Sequence, residues 1–158
     1  MSVQECLKSQ YHASLAMLRG AIDACPQELW TDASYVNQFW QVAYHVLFFA
    51  HLYLQQNETT FVLWSQHHGA DDGTRGEPYS KAQVLEYWSF VDHAVDGAVE
   101  LLDLESPESG FSWYTMSKLE HQLVSIRHVQ HHGAQLADRL RSAADIGIKW
   151  VGSGSAVS

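Results

Sequence analysis

Three histidines stand within five residues in the stretch Arg127-His128-Val129-Gln130-His131-His132-Gly133-Ala134-Gln135. Imidazole changes charge near neutral pH and is the commonest nitrogen ligand for transition metals. On a helix, His128 and His132 are four residues apart, so their rings occupy adjacent turns of one face. They can then share an ion, given one or two more ligands from a facing helix. At 100° per residue His121 joins them within about 40°, Gln135 adjoins the stripe, and His131 turns toward solvent on the Arg127 side. Spacing alone decides nothing: 10 histidines scattered over 158 residues give about 0.6 pairs at this separation by chance. A half-solvated helix flank accounts for the stripe as well as a metal does.

A second candidate, His45, lies at the edge of the polar sector of an otherwise apolar segment, beside Phe49 and Leu52, with Gln41 and Asn37 one and two turns earlier. As a plain core histidine it needs hydrogen-bond partners for both ring nitrogens. As a ligand it would give one nitrogen to the metal and the other to an acceptor such as a backbone carbonyl or a glutamine oxygen. For proton transfer, Tyr11, Gln41, Glu86, Asp92 and His93 are the side chains available on neighbouring helices, and none is singled out by spacing. Asp92 and His93 read as a solvated turn, and His67-His68 as part of an exposed loop. No role is assigned to His51, His93, His121 or His131.

Helices must position these residues. Val3, Leu7, Tyr11, Leu15, Leu18 and Ile22 recur at steps of three and four, predicting a helix over about 3–24 that Pro26 ends. A second, the most deeply buried, covers about 34–56. Residues 57–79, rich in Gly and adjacent acids, form a long connection that folds back so that Phe61, Leu63 and Trp64 find cover. Ser80-x-x-Gln83 and Ser117-x-x-Glu120 are capping boxes opening helices over about 80–103 and 117–143. In the last of these Leu119, Leu123, Ile126, Val129, Leu136 and Leu140 share the apolar face. Four such helices and no convincing strand define an all-α four-helix bundle, and the long link after the second allows a non-sequential helix order. Residues 1–150 make one domain and 151–158 a flexible tail, although Ile148 and Trp150 could still lie on the bundle. The tryptophans read as core more than as pocket walls.

Composition removes several classes of function. A net charge of −9 with 9 Lys and Arg and no basic run argues against nucleic acid and against anionic lipid surfaces. The longest apolar stretch, 42–54, is too short and too polar to cross a bilayer. With no apolar signal segment visible, and with Cys6 and Cys25 unpaired in sequence, the chain reads as a cytoplasmic protein with two ordinary thiols.

The stretch "FWQVAYHVLFF" in the second helix, followed by "RHVQHHGAQL" in the last and the tail "GIKWVG", resembles the DinB/YfiT-like superfamily of small metal-dependent proteins. The resemblance implies an up-down-down-up bundle that binds a divalent metal through one second-helix histidine and a His-x-x-x-His pair on the final helix. By position these are His45, His128 and His132. The family commonly shows "HHRGQ" at the second ligand of that pair. Here "HHGAQ" keeps Gln135 and replaces the Arg-Gly with Gly133-Ala134.

Three neutral imidazoles leave at least one coordination position for water or substrate, the layout of a catalytic site. Zinc is the expected ion, with nickel or iron also compatible with imidazole ligands. Relatives in this family use low-molecular-weight thiols, so the resemblance implies an S-transferase, or else a hydrolase that activates water. The alternative is a non-catalytic metal-binding or small-molecule-binding bundle, paired as a homodimer.

Overall fold

In the computed structural model residues 1–156 are described. The helices are α1 (Val3–Ala24), a one-turn α2 (Gln27–Trp30), α3 (Phe39–Tyr53), α4 (Lys81–Leu101) and α5 (Lys118–Ala144), with a 3-10 turn at Glu58–Thr60. Among the described residues there is no strand, only an isolated bridge between Ala70 and Arg75. No helix there is long and apolar enough to cross a membrane.

Local chemistry sets the helix ends. The Ser2 and Ser80 side chains each accept from the backbone N–H three residues on, and Glu5 and Gln83 reach back to complete both capping boxes. At α5 only half of the expected box forms: Ser117 Oγ accepts from the Glu120 N–H (3.2 Å), and Glu120 does not return the bond. The second predicted helix is shorter at both ends, because Asp32 closes a turn on the Ser34 N–H and Gln38 with Gln41 starts α3 at Phe39. Twelve of the fifteen residues of α3 are buried, as a helix lacking a polar face requires.

Bonds between helices give their directions. On α1 and α5, Tyr11 meets Gln122 and Met17 meets Gln130, so the two run parallel. On α1 and α4, Lys8 meets Glu100, His12 meets Asp92, and Trp88 Nε1–H donates to Leu15 O, so these are antiparallel. Gln122 donates to Tyr53 O and Arg139 to Asn37 O, making α3 antiparallel to α5. Hence α3 and α4 point the same way, and the order is up-down-down-up. The main packing is of α1 and of α3 on both α4 and α5.

Parallel neighbours need a connection that runs back along the bundle. Residues 54–80 provide it, held by Trp64 stacked on Tyr87 (4.6 Å) and Tyr79 stacked on Tyr44 (3.9 Å). Phe61 packs against the core, whereas Leu63 is 51% exposed, contrary to the cover expected for it. His67 and His68 are likewise not an exposed pair. The Tyr44 hydroxyl pairs with His67 Nδ1 (2.9 Å), and the His68 ring stacks on Tyr79 (3.8 Å). Trp30, Trp40, Trp64 and Trp88 are core; Trp113 and Trp150 are exposed.

Helix α5 departs from its predicted wheel. Leu123 is half exposed, while His121, Gln122 and Ser125 are fully buried beside Val129, Leu136 and Leu140. The inward face of its first half is therefore polar, turned to Tyr11 and Tyr53 through the two bonds of Gln122. Past α5 the chain turns back over α1, where Gln10 Nε2 donates to Gly152 O (3.1 Å) and the Gly154 N–H donates to Ser9 O (3.2 Å). Ile148 packs on the core and Trp150 does not. Of the tail expected to be flexible, residues 157–158 lie outside the described residues.

Candidate metal centre

Antiparallel packing of α3 on α5 brings His45 opposite His128 and His132. One nitrogen from each lies within 4.8 Å of the other two, and the ring centroids are 4.6 to 5.1 Å apart. The three residues that the sequence reading selected are thus brought together as a group able to hold a metal ion.

The free nitrogens follow from what the other nitrogens do. His45 Nδ1 is 2.8 Å from Asp72 Oδ2, and an ionised carboxylate only accepts, so Nδ1 carries the proton and Nε2 a lone pair. His132 Nδ1 donates to Gln135 Oε1 (2.7 Å), which frees its Nε2 in the same way. Between His45 Nε2 and His128 Nε2 there are 3.2 Å. His128 Nδ1 is buried and has no hydrogen-bond partner among the described residues.

Electrostatics keep the two α5 histidines neutral. Burial, reinforced by His132, His45 and His131, pushes the His128 pKa down to about 3. Burial also lowers that of His132, against the opposing bond to Gln135. Burial would raise the Asp72 pKa, but bonds from the Thr74 hydroxyl, His45 and the Thr74 backbone hold it below the usual carboxylate value. At neutral pH His128 and His132 are therefore neutral imidazoles, and Asp72 is a carboxylate anion, the protonation states a divalent cation favours.

Asp72 arrives on the returning loop. Its Oδ1 accepts from the backbone N–H (3.2 Å) and hydroxyl (2.7 Å) of Thr74, an Asx turn that aims Oδ2 at His45. The adjoining Gly73 has φ +76°, and a Cβ there would lie 2.7 Å from Tyr44 Cε1, so only glycine lets the loop approach this closely. Above the cluster is an open cleft of about 390 Å³, lined by Asn37, Gln41, Val42, Asp72, Thr74 and Gln135 with His45 and His132. Phe49 closes one side, its ring 4.7 Å from that of His45 and 5.7 Å from that of His128.

Among the side chains considered for proton transfer, only Gln41 lines this cleft, and its amide is committed to Thr74 O (2.9 Å) and the Gln38 N–H (2.6 Å). Tyr11 is buried and donates to Gln122 (2.7 Å). Glu86 accepts from Gln66 on the surface, and His93 is exposed against Ser89. Asp92 is not part of a solvated turn: it is buried against His12, at 2.7 Å. His131 is exposed and receives Gln135 Nε2 (3.3 Å). The sequence reading missed Asp72, whose one signal was the Asp-Gly-Thr turn in a loop already expected to fold back. It noted Gln135 without its role.

An all-helical, up-down-down-up bundle with a three-histidine group under an open cleft defines the class of protein. Residues 10–136 match the DinB superfamily, and the chain belongs to it. Comparison with curated proteins and with solved structures gave no match.

Proposed function

We propose that this chain is a metal-dependent enzyme in which His45, His128 and His132 hold one divalent ion, zinc before nickel or iron. Its reaction is transfer of a low-molecular-weight thiol to an electrophile, or else hydrolysis. The observation that carries this reading is the set of three imidazole nitrogens within 4.8 Å of one another, two of them on rings, His45 and His132, that line an open cleft and have their second nitrogen fixed by Asp72 and Gln135. Three half-buried imidazoles, two of them with acceptor-held N–H groups, suit a borderline cation, and the cleft beside them has room for water or substrate. When bound, such an ion supplies Lewis acidity that favours the deprotonated form of a thiol or water at neutral pH.

The chain's own residues then bind and exclude. Asn37 presents a carboxamide that makes no hydrogen bond among the described residues, so it is available to a substrate in the cleft. Phe49 keeps water from the His45 and His128 side. Among the described residues no lysine or arginine lines the cleft and Asp72 does, so the cleft has no cation to attract an anionic substrate.

Elemental analysis of protein purified without nickel resin or chelator is the test. About one transition-metal ion per chain is expected, lost in a folded His45→Ala variant, with zinc at about 100 times its Kd stabilising the native protein by ~2.7 kcal/mol. Metal-free protein whose melting temperature ignores added zinc would sink the metal reading. Metal without turnover in a thiol-by-electrophile screen would leave a binding protein instead of an enzyme.

A further inference from the structure

Two of the three imidazoles have their Nδ1 held by a side chain, and the third does not. If His128 ligates through Nε2, its proton must sit on Nδ1, and that atom is buried without a partner among the described residues. A buried N–H left unsatisfied costs about 1–3 kcal/mol, so native proteins seldom leave one.

One turn earlier on the same helix, Ser125 is 1% exposed, and among the described residues nothing donates to its Oγ. One further turn back, His121 is fully buried, and neither ring nitrogen has a hydrogen-bond partner among the described residues. At 100° per residue, positions 121, 125, 128 and 132 fall within about 60° of one another. Ser125 is thus the hydroxyl on the metal side of a polar stripe along the inner face of α5. The neighbouring Tyr11 hydroxyl donates to Gln122, so toward the Ser125 hydroxyl beside it, it can only accept, and the Ser125 oxygen keeps its lone pairs for a water. Internal waters occupy sites where two to four polar atoms converge.

We propose that Ser125 is the positioning residue of the third ligand, its hydroxyl holding His128 Nδ1–H through one internal water, with His121 as the next polar group on that stripe. This rests on the metal reading above. In it every ligand has a second-nitrogen partner: Asp72 for His45, Gln135 for His132, and Ser125 with its water for His128. Such partners fix ring orientation, and their loss costs about 10–100-fold in metal affinity.

The test compares wild type, Ser125→Ala and Ser125→Thr in zinc affinity, by competition with a chromophoric chelator, and in the visible spectrum of the cobalt-substituted protein. Circular dichroism of the metal-free forms confirms folding. Ser125→Ala is expected to bind zinc about 10-fold more weakly and to shift the cobalt bands, while Ser125→Thr, which keeps the hydroxyl, restores both. A folded Ser125→Ala protein with wild-type affinity and spectrum would overturn the assignment, as would a folded Ser125→Thr protein that matches Ser125→Ala. Wild-type protein that takes up neither zinc nor cobalt would instead remove the metal reading, and this inference with it.

Discussion

A carboxylate that accepts from the second nitrogen of a metal-binding imidazole fixes the ring and raises its basicity, and under the proposed function Asp72, 2.8 Å from His45 Nδ1, is that carboxylate. Asp72→Ala is therefore expected to lower zinc affinity about 10–100-fold with a small effect on the metal-free melting temperature. An unchanged affinity in a chelator competition would show that the loop carboxylate does not hold His45 in solution. The three imidazoles were legible in the sequence through the family's spacing, since chance alone gives about 0.6 pairs of histidines four apart, too close to the one present to single it out. Asp72 was not, because periodicity records which side of a helix faces inward and carries nothing about which residue of a 27-residue connection (54–80) arrives above it. Gln135 could be noticed at its position, but its role needed the His132 ring placed beside it.

Where an element begins and ends was written locally: serine caps, Pro26 and the apolar period place α1, α4 and α5 within a residue or two of expectation. Which way a helix is turned was less legible. Counting leucines put Leu123 inside, yet α5 buries His121, Gln122 and Ser125 in its first half because Tyr11 and Tyr53 face it with groups that Gln122 can satisfy. The same limit hid the clasp between α1 and α4. His12, 2% exposed, has Asp92 at 2.7 Å on Nδ1 and Asp96 at 3.0 Å on Nε2. Two acceptors on opposite nitrogens call for an imidazolium. Burial lowers the His12 pKa, but the bonds to Asp92 and Asp96 outweigh it and raise the value above 6.5. A raised pKa contributes stability that is complete below pH 6.5 and lost as pH rises through the folded value. Asp96→Asn should bring that loss to lower pH and cost roughly 0.5–1 kcal/mol, since Asp96 is half exposed. Urea midpoints between pH 6 and 9 that coincide for the two proteins would show that the clasp is not charged.

For the molecule as a whole, acid acts the other way. Burial pulls His51 and His121 down to about 4, with Lys118 adding to the effect on His121. Depressed values contribute stability present above pH 6.5 and lost as pH falls toward 4, up to roughly 3 kcal/mol for each buried ring. Metal-free protein should therefore unfold more readily at pH 4.5 than at pH 7, and His121→Phe should flatten that decline; equal slopes in denaturant titrations would refute it. The helix order has a consequence in time. The consecutive pairs with the shorter links, α1 with α3 and α4 with α5, sit across the bundle from one another, so no early helical hairpin can bury an apolar face between them. Each face of α1 and α3 waits for a helix from the second half of the chain. Closing such long loops first slows folding relative to a bundle of sequential neighbours. On a ribosome, the apolar α3 must stay shielded until α5 emerges, and the three imidazoles first meet only when the last helix docks.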